Sequence, residues 1–298
     1  MSARIRLRSS SAFSIAAVLL ATSAVVSQVS TGAAAQAAVA PTRIISLSPS
    51  ATEILFGIGA GKQVIAVDDN SDYPTNAPHS KLSSFTPNVE AIAALHPDLV
   101  ILQSTATKAS AVQAGLKKLK IAVYLETTPN TLDQAYSEFT DLGALTGHVS
   151  RAKVQIAVMK SKISSIIARA KKLTGVSIYH ELDNTLYSAT SSTFIGSVYK
   201  SFGVTNIADA AATADSGGYP QLTSEYVVSA NPTVILLDDG AYGESPTTVA
   251  ARAGWSGLSA VTQKHIVVIP LDIADRWGPR LVDLYTFIAN SLATVASK

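Results

Sequence analysis

The stretch Asn88 to Leu102, NVEAIAALHPDLVIL, is written a second time in outline as Thr223 to Leu237, TSEYVVSANPTVILL. The offset is constant at 135 positions, from Glu90 to Glu225 and from Pro97 to Pro232. Each copy opens on a residue that caps helices, Asn88 or Thr223, and places a glutamate in the first turn, where the helix N-terminus favours negative charge. A proline turn follows, then an apolar run of the kind that forms a strand buried on both faces of a parallel sheet. Helix, turn and buried strand repeated at the spacing of whole domains predict two lobes of similar build, and 298 residues suffice for two ordinary cores.

The flanking sequence supports the duplication. Ile44 to Leu47 reads as a short strand, and Ser50-Ala51-Thr52-Glu53 as a capping box opening a helix that closes at Gly57 to Gly61. Val64 to Val67 is the next strand. Asp68 to Pro87 has no periodicity and contains Tyr73 and Phe85, the profile of a binding loop. Beyond the first copy, Ala109 to Leu119 is helical and Ile121 to Leu125 extended. Leu132 to Leu145 and, after Gly147, Val149 to Leu173 are helical, the latter an amphipathic rod with Ile156, Met159, Ile163, Ile166, Ile167 and Ala170 on one face. The second half then replays the first: a strand at Val176 to His180, a hydroxyl-rich loop at Ser188 to Thr193, a helix at Phe194 to Phe202, and a Gly-rich loop ending at Pro220 before the second copy. Ile266 to Ile269 is a strand and Leu281 to Val295 a closing helix. Such alternation predicts α/β lobes, each a Rossmann-like parallel sheet with helices on both faces. The expected division is 41–147 for the first lobe, 148–173 for a single connecting helix and 174–298 for the second lobe.

Arg4, Arg6 and Arg8 precede the apolar run Ala12 to Val26 and a small-residue segment containing Ala35-Gln36-Ala37. This is the layout of a secretory signal cleaved after about Ala37, with an apolar core too short to span a membrane comfortably. Residues 1–40 are therefore read as a leader, and the mature chain as exported, periplasmic or extracellular. Removing three arginines and no acid takes the formal charge from +2 to −1, which leaves no basic footprint for nucleic acid. With no cysteine there is neither a disulfide nor a thiol to carry a lipid, so the chain is not expected to be a lipoprotein.

Ligands of open α/β sheets bind beyond the carboxyl ends of the strands, so two such lobes predict a cleft lined by the loops there. Those loops carry Tyr73, Phe85, Tyr187, Tyr219, Tyr242, Arg276 and Trp277. Aromatics with one or two cations suit a large, partly apolar ligand that bears anionic or carbonyl oxygens; edge packing between loop and core is the structural role open to each ring. Catalytic signatures are absent: the sequence has no H-E-x-x-H, G-x-S-x-G or G-x-x-x-x-G-K-[ST] motif. His79, His96, His148, His180 and His265 are scattered, with only His180 at the end of a predicted strand. No enzymatic activity, cofactor or protein-held metal is expected. An exported α/β enzyme acting on a chelate or glycoconjugate is the alternative from a different class.

The runs LSPSATEILFGIG, Ser71-Asp72-Tyr73-Pro74, NVEAIAALHPDLVI, Tyr219-Pro220-Gln221 leading into SEYVVSANPTVIL, GWSGLSAV and RWGPRLVD together resemble the substrate-binding proteins of ABC importers for vitamin B12, ferric siderophores and haem. The resemblance covers nearly everything from Arg43 onward. It implies two α/β lobes bridged by one long helix, a monomer, and a membrane permease as partner, with Glu90 and Glu225 at the positions where the family docks onto permease arginines. For the ligand it leaves three chelates open. Tyr73, Phe85 and Tyr219 match loop positions that stack on a corrin, although Phe85 and Tyr219 stand where tryptophan is frequent. Arg276 and Trp277 suit a ferric siderophore, and Tyr73 or His180 an axial contact to haem.

Overall fold

In the computed structural model, which describes residues 39–170, 173 and 175–295, the chain builds two parallel sheets in succession. The expected leader lies outside the described residues except for its last two positions. The first half runs β1 (Ile44–Leu47), α1 (Pro49–Gly57), β2 (Val64–Asp68), β3 (His79–Leu82), α2 (Val89–Ala93), β4 (Leu99–Gln103), α3 (Ala109–Lys118), β5 (Ala122–Glu126) and α4 (Leu132–Thr146). After α5 (Val149–Arg169) come β6 (Ser177–Glu181), α6 (Phe194–Ser201), β7 (Thr205–Asn206), α7 (Ser224–Ala230), β8 (Val234–Leu237), α8 (Pro246–Ala250), α9 (Ser259–Thr262), β9 (Ile266–Val268), α10 (Leu271–Ala274) and α11 (Leu281–Ala293).

The repeated stretch is repeated in space as well. The strand orders are β3-β2-β1-β4-β5 and β7-β6-β8-β9, and without the edge strand β3 the two follow one path. Strands β4 and β8 start at 99 and 234, again 135 apart, and each pairs in parallel with the first strand of its own sheet. Both are buried over residues 99–102 and 234–237, as runs without polar alternation require. Their helices begin as expected: Ala91 N donates to Asn88 Oδ1 at 2.8 Å, and Tyr226 N donates to Thr223 Oγ1 at 3.1 Å.

Three local expectations are corrected. Helix α1 is capped by Ser48, not Ser50: Ala51 N donates to Ser48 Oγ at 3.1 Å, and Pro49 takes the first helical position, where its missing N–H costs nothing. Glu53 is thereby freed from capping for another task. The segment 68–87 is not all loop, because His79–Leu82 adds β3 to the edge of the first sheet; an edge strand with exposed His79 and Lys81 carries no apolar run to betray it. Helix α5 ends at Arg169 with Ala170 already extended, so it is 21 residues and about 31 Å long at 1.5 Å per residue; positions 171, 172 and 174 of the longer predicted rod lie outside the described residues.

Packing joins the two halves. One face of each sheet has its own cluster, Ile45, Leu47, Val100 and Leu102 in the first and Tyr179, Ile235, Leu237 and Trp255 in the second. The opposite faces share one continuous cluster that takes in Ile54, Phe139, Met159, Ile163, Tyr199, Leu284 and Tyr285. Met159 and Ile163, both on the predicted apolar face of α5, are buried there, and α5 packs against α4 on one side and α11 on the other.

Polar ties add to this at the segment 272–280. Glu53, 2 % exposed on α1, accepts from Arg280 Nη2 at 2.7 Å and lies 3.7 Å from Arg276. Arg276 also binds Asp72, and Arg280 Nη1 reaches Asp272 at 2.7 Å. Gly278 is required here, since a Cβ would come within 2.7 Å of Glu53 Cβ. Burial raises the Glu53 pKa, and the hydrogen bond and charge of Arg280 pull it back only in part. The network therefore fixes geometry more than it adds net stability. Glu53→Ala is expected to cost about 2–3 kcal/mol, at or below the range for stripping one member from a buried pair because Asp72 and Asp272 still neutralise the arginines. Urea unfolding of the two proteins side by side measures it; an unchanged midpoint would mean that the arginines do not depend on Glu53.

Candidate functional site

The loops that follow the strands converge on two adjoining cavities. One, of about 470 Å³, is bounded by Ser50 beyond β1, Asn70 and Asp72 beyond β2, Phe85 beyond β3, Gln103 at the end of β4, and Asp272, Asp275 and Arg276 from the second half. The other, of about 230 Å³, lies at the ends of β6 and β8 and is bounded by His180, Leu182, Phe194, Tyr219, Asp238 and Trp277, with Thr128 from the first half. Asp275 lines both. This is the carboxyl-end location that open α/β sheets favour. A further cavity of about 450 Å³ beside α4, α5 and α11 contains no strand-end residue.

Local hydrogen bonds hold the loops in place. Asp68, at the end of β2, accepts from Ser71 Oγ at 2.7 Å and from Asn70 N at 2.8 Å, which turns the chain so that Asp72 and Tyr73 project from it. In the second half Ser188 N donates to Pro220 O at 3.0 Å and Thr190 N to Gly218 O at 2.9 Å. Gly218 sits at φ +93°, with Thr193 Cγ2 only 2.9 Å from where a Cβ would be, so only glycine brings these loops together and presents Tyr219.

The electrostatics differ from the expectation of free cations. Arg276 lines the larger cavity, but its guanidinium is held by Asp72 and Glu53. Arg280 is held by Glu53 and Asp272, and its guanidinium lies 4.3 Å from the centre of the Tyr73 ring. Carboxylates dominate the rest. Asp238, 7 % exposed, is pushed up to about 8 by burial and by the charges of Asp275 and Asp239, and its Oδ1 has no hydrogen-bond partner. His180, 1 % exposed, has its Nδ1 2.9 Å from the Tyr199 hydroxyl and its Nε2 unpartnered. Burial lowers its pKa to about 3, so it is neutral. Each such unsatisfied buried atom costs on the order of 1–3 kcal/mol. Nearby, Glu138 accepts from Trp277 Nε1, and burial together with the neighbouring Glu126 raises its pKa well above the usual carboxylate range.

The predicted residues are not all gathered. Phe85, 63 % exposed, and Arg276 line the larger cavity; Tyr219 and Trp277 line the smaller. Trp277 is a buried wall, packed edge-on to Phe194 with ring centroids 6.2 Å apart, so it presents a face of the core and not a free side chain. Tyr73 is half-exposed against Arg280. Tyr187 forms an isolated antiparallel bridge with Gln221, and Tyr242 is almost fully exposed; neither lines these cavities. Asp72, Asp238, Asp272 and Asp275 were missed by a reading that sought aromatics and cations. The available signal was position, since Asp238 directly follows β8 and Asp72 lies in the loop just beyond β2. Glu90 and Glu225 are exposed at the second positions of α2 and α7 and form no ion pair among the described residues. Among those residues no group of three or more histidines and acids is placed to hold a metal ion, and no helix is long and apolar enough to cross a membrane.

Comparison with known proteins agrees with this architecture. The family described as periplasmic binding protein matches residues 44–272. A relative in Bacillus subtilis, named an uncharacterized ABC transporter substrate-binding lipoprotein, is 30% identical over 85% of this chain and 80% of its own. A cobalamin-binding protein of Halobacterium salinarum is 27% identical over 84% of this chain and 69% of its own. The solved structure of a periplasmic heme-binding protein from Roseiflexus in its apo form superposes with a TM-score of 0.74 at 22% identity, over 86% of this chain and 99% of its own, a likeness of fold.

The raised pKa of Asp238 makes stability depend on pH. An aspartate has a pKa near 3.9 when unfolded and about 8 here, so the folded state holds the proton more tightly. Its contribution is complete below about pH 4 and is lost as pH rises towards 8. The melting temperature is therefore expected to fall between pH 6.5 and 8.5, and Asp238→Asn to flatten that fall whatever its absolute midpoint. Equal slopes in calorimetry of the two proteins would place the proton elsewhere.

Proposed function

Because the chain belongs to the periplasmic binding protein family, we propose that it is the extracytoplasmic component of an ABC importer, which binds a cobalamin-type metal chelate in the cleft and delivers it chemically unchanged to a membrane permease. The observation that carries this reading is the pair of adjoining cavities at the strand ends, walled by Phe85, Tyr219 and Trp277. Aromatic faces of this kind bury the flat, apolar part of a large ligand. The likeness to a cobalamin-binding relative over 84% of the chain favours a corrinoid over a ferric siderophore or haem. The chain acts as a monomer with no nucleic-acid partner.

The permease meets Glu90 and Glu225. Each stands at the same place in its copy of the repeated stretch, is exposed, and forms no ion pair among the described residues. Residues 1–40 are the export signal, 41–147 and 174–298 the lobes, and 148–173 the bridge, of which α5 is the described part. A single stiff helix limits how far the lobes can swing, so closure on the ligand is small. The Bacillus relative is named a lipoprotein, whereas this chain has no cysteine to carry a lipid.

Two measurements test the proposal. Titration of the purified protein with a corrinoid is expected to quench Trp277 fluorescence to a one-to-one endpoint and to return the corrinoid unaltered; recovery of a chemically changed chelate would instead make the protein an enzyme. Glu90→Lys and Glu225→Lys are expected to leave that affinity within about twofold and to reduce uptake by intact cells or proteoliposomes tenfold or more, since reversal replaces attraction to a cationic partner by repulsion. Affinity and uptake falling together would assign the glutamates to the fold or the pocket.

A further inference from the structure

We infer that the smaller cavity is a subsite for uncharged hydrogen-bond donors on the ligand, of carboxamide type, which Asp238, Asp275 and His180 recognise while they reject carboxylates. The inference rests on the chelate-binding reading above and names the chemistry at the ligand's edge. Two independent features point to it. The first is what is left unpaired. His180 Nε2 and Asp238 Oδ1 are buried polar atoms without partners, and both residues wall this cavity. Natural structures seldom keep such atoms unless something bound satisfies them. The Tyr199 hydroxyl fixes the other ring nitrogen of His180, so the imidazole cannot turn Nε2 away without losing that bond.

The second feature is charge. Both guanidinium ions near the cleft are committed to carboxylates, Arg276 to Asp72 and Glu53, Arg280 to Glu53 and Asp272. Two cations thus face three anions before Asp275 is counted. The imidazole of His180 is neutral in this setting. A ligand carboxylate placed here meets like charge with no donor cation to compensate. An amide N–H meets acceptors with free lone pairs, and its carbonyl can take the proton that His180 or Asp238 carries. At about 230 Å³ the cavity admits a ring substituent and not the macrocycle itself, which leaves the ring over the larger cavity beside Phe85.

The test holds the ring constant and changes only its edge. Affinity is measured by Trp277 quenching and calorimetry for a corrin bearing peripheral carboxylates and the same corrin with those groups as primary amides, and likewise for a metalloporphyrin dicarboxylate and its diamide. For whichever ring binds, the amide form is expected to bind at least about tenfold more tightly. Asp238→Asn and Asp275→Asn each shrink that ratio, because an asparagine places two amide N–H donors where the carboxyl offered at most one. Asp275 lies at the cleft surface, so its variant remains informative if the buried Asp238 variant folds poorly. A carboxylate form that binds as tightly as the amide, or a ratio unmoved in both variants, overturns the subsite. Failure of both rings in both forms overturns the chelate reading itself, and the subsite with it.

Discussion

Glu53 is the point on which the arrangement of the two lobes turns. It is buried on the first helix, yet its partners Arg276 and Arg280 lie more than two hundred residues later in the chain. Taking a carboxylate out of water is costly, and its raised pKa records that the arginines offset this only in part. Such a group contributes direction: the charges meet in one arrangement, and that arrangement carries the segment 272–280 to the ends of the first sheet. Trp277 follows, its indole N–H donating to Glu138 on α4 while its ring packs on Phe194 of α6. The wall of the binding cleft is thus a by-product of how the lobes are tied together.

That tie also explains the character of the cleft. The arginines that hold the lobes are the ones that stand at and beside the larger cavity, and a guanidinium already shared between two carboxylates is a poor receptor for a third. What remains accessible is acidic and imidazole-bearing. Lobe assembly and the charge of the cleft are therefore two consequences of one set of charges.

The sheets show how far duplication goes. Strands β4 and β8 are equivalent in sequence offset, in burial and in their parallel partners. The halves diverge in what surrounds them: β3 extends only the first sheet, and short helices α8 and α9 fill the chain between β8 and β9 in the second. The cleft inherits this asymmetry. Its first-lobe side is a broad groove under the 70–85 segment, and its second-lobe side is a smaller pocket beside α6 in which His180, Asp238 and Asp275 stand among apolar side chains.

From the sequence alone came the α/β class, the repeat, both helix caps at Asn88 and Thr223, and the buried faces of the central strands and of α5. All of these are local or periodic properties, written within a few residues of where they act. The sequence also put Phe85 and Tyr219 in loops, and these two rings line the cavities at the strand ends. It could not reveal the edge strand β3, whose residues pair through backbone alone, nor that Ser48 and not Ser50 caps α1. Above all it could not reveal which charges are spent. Arg276 counted among the cations of the cleft because its partner Asp72 lies 204 positions away, and Asp238 drew no notice because nothing nearby in sequence announces that it is buried. Ion pairing and desolvation depend on distances between remote segments, and only the tertiary structure sets those distances.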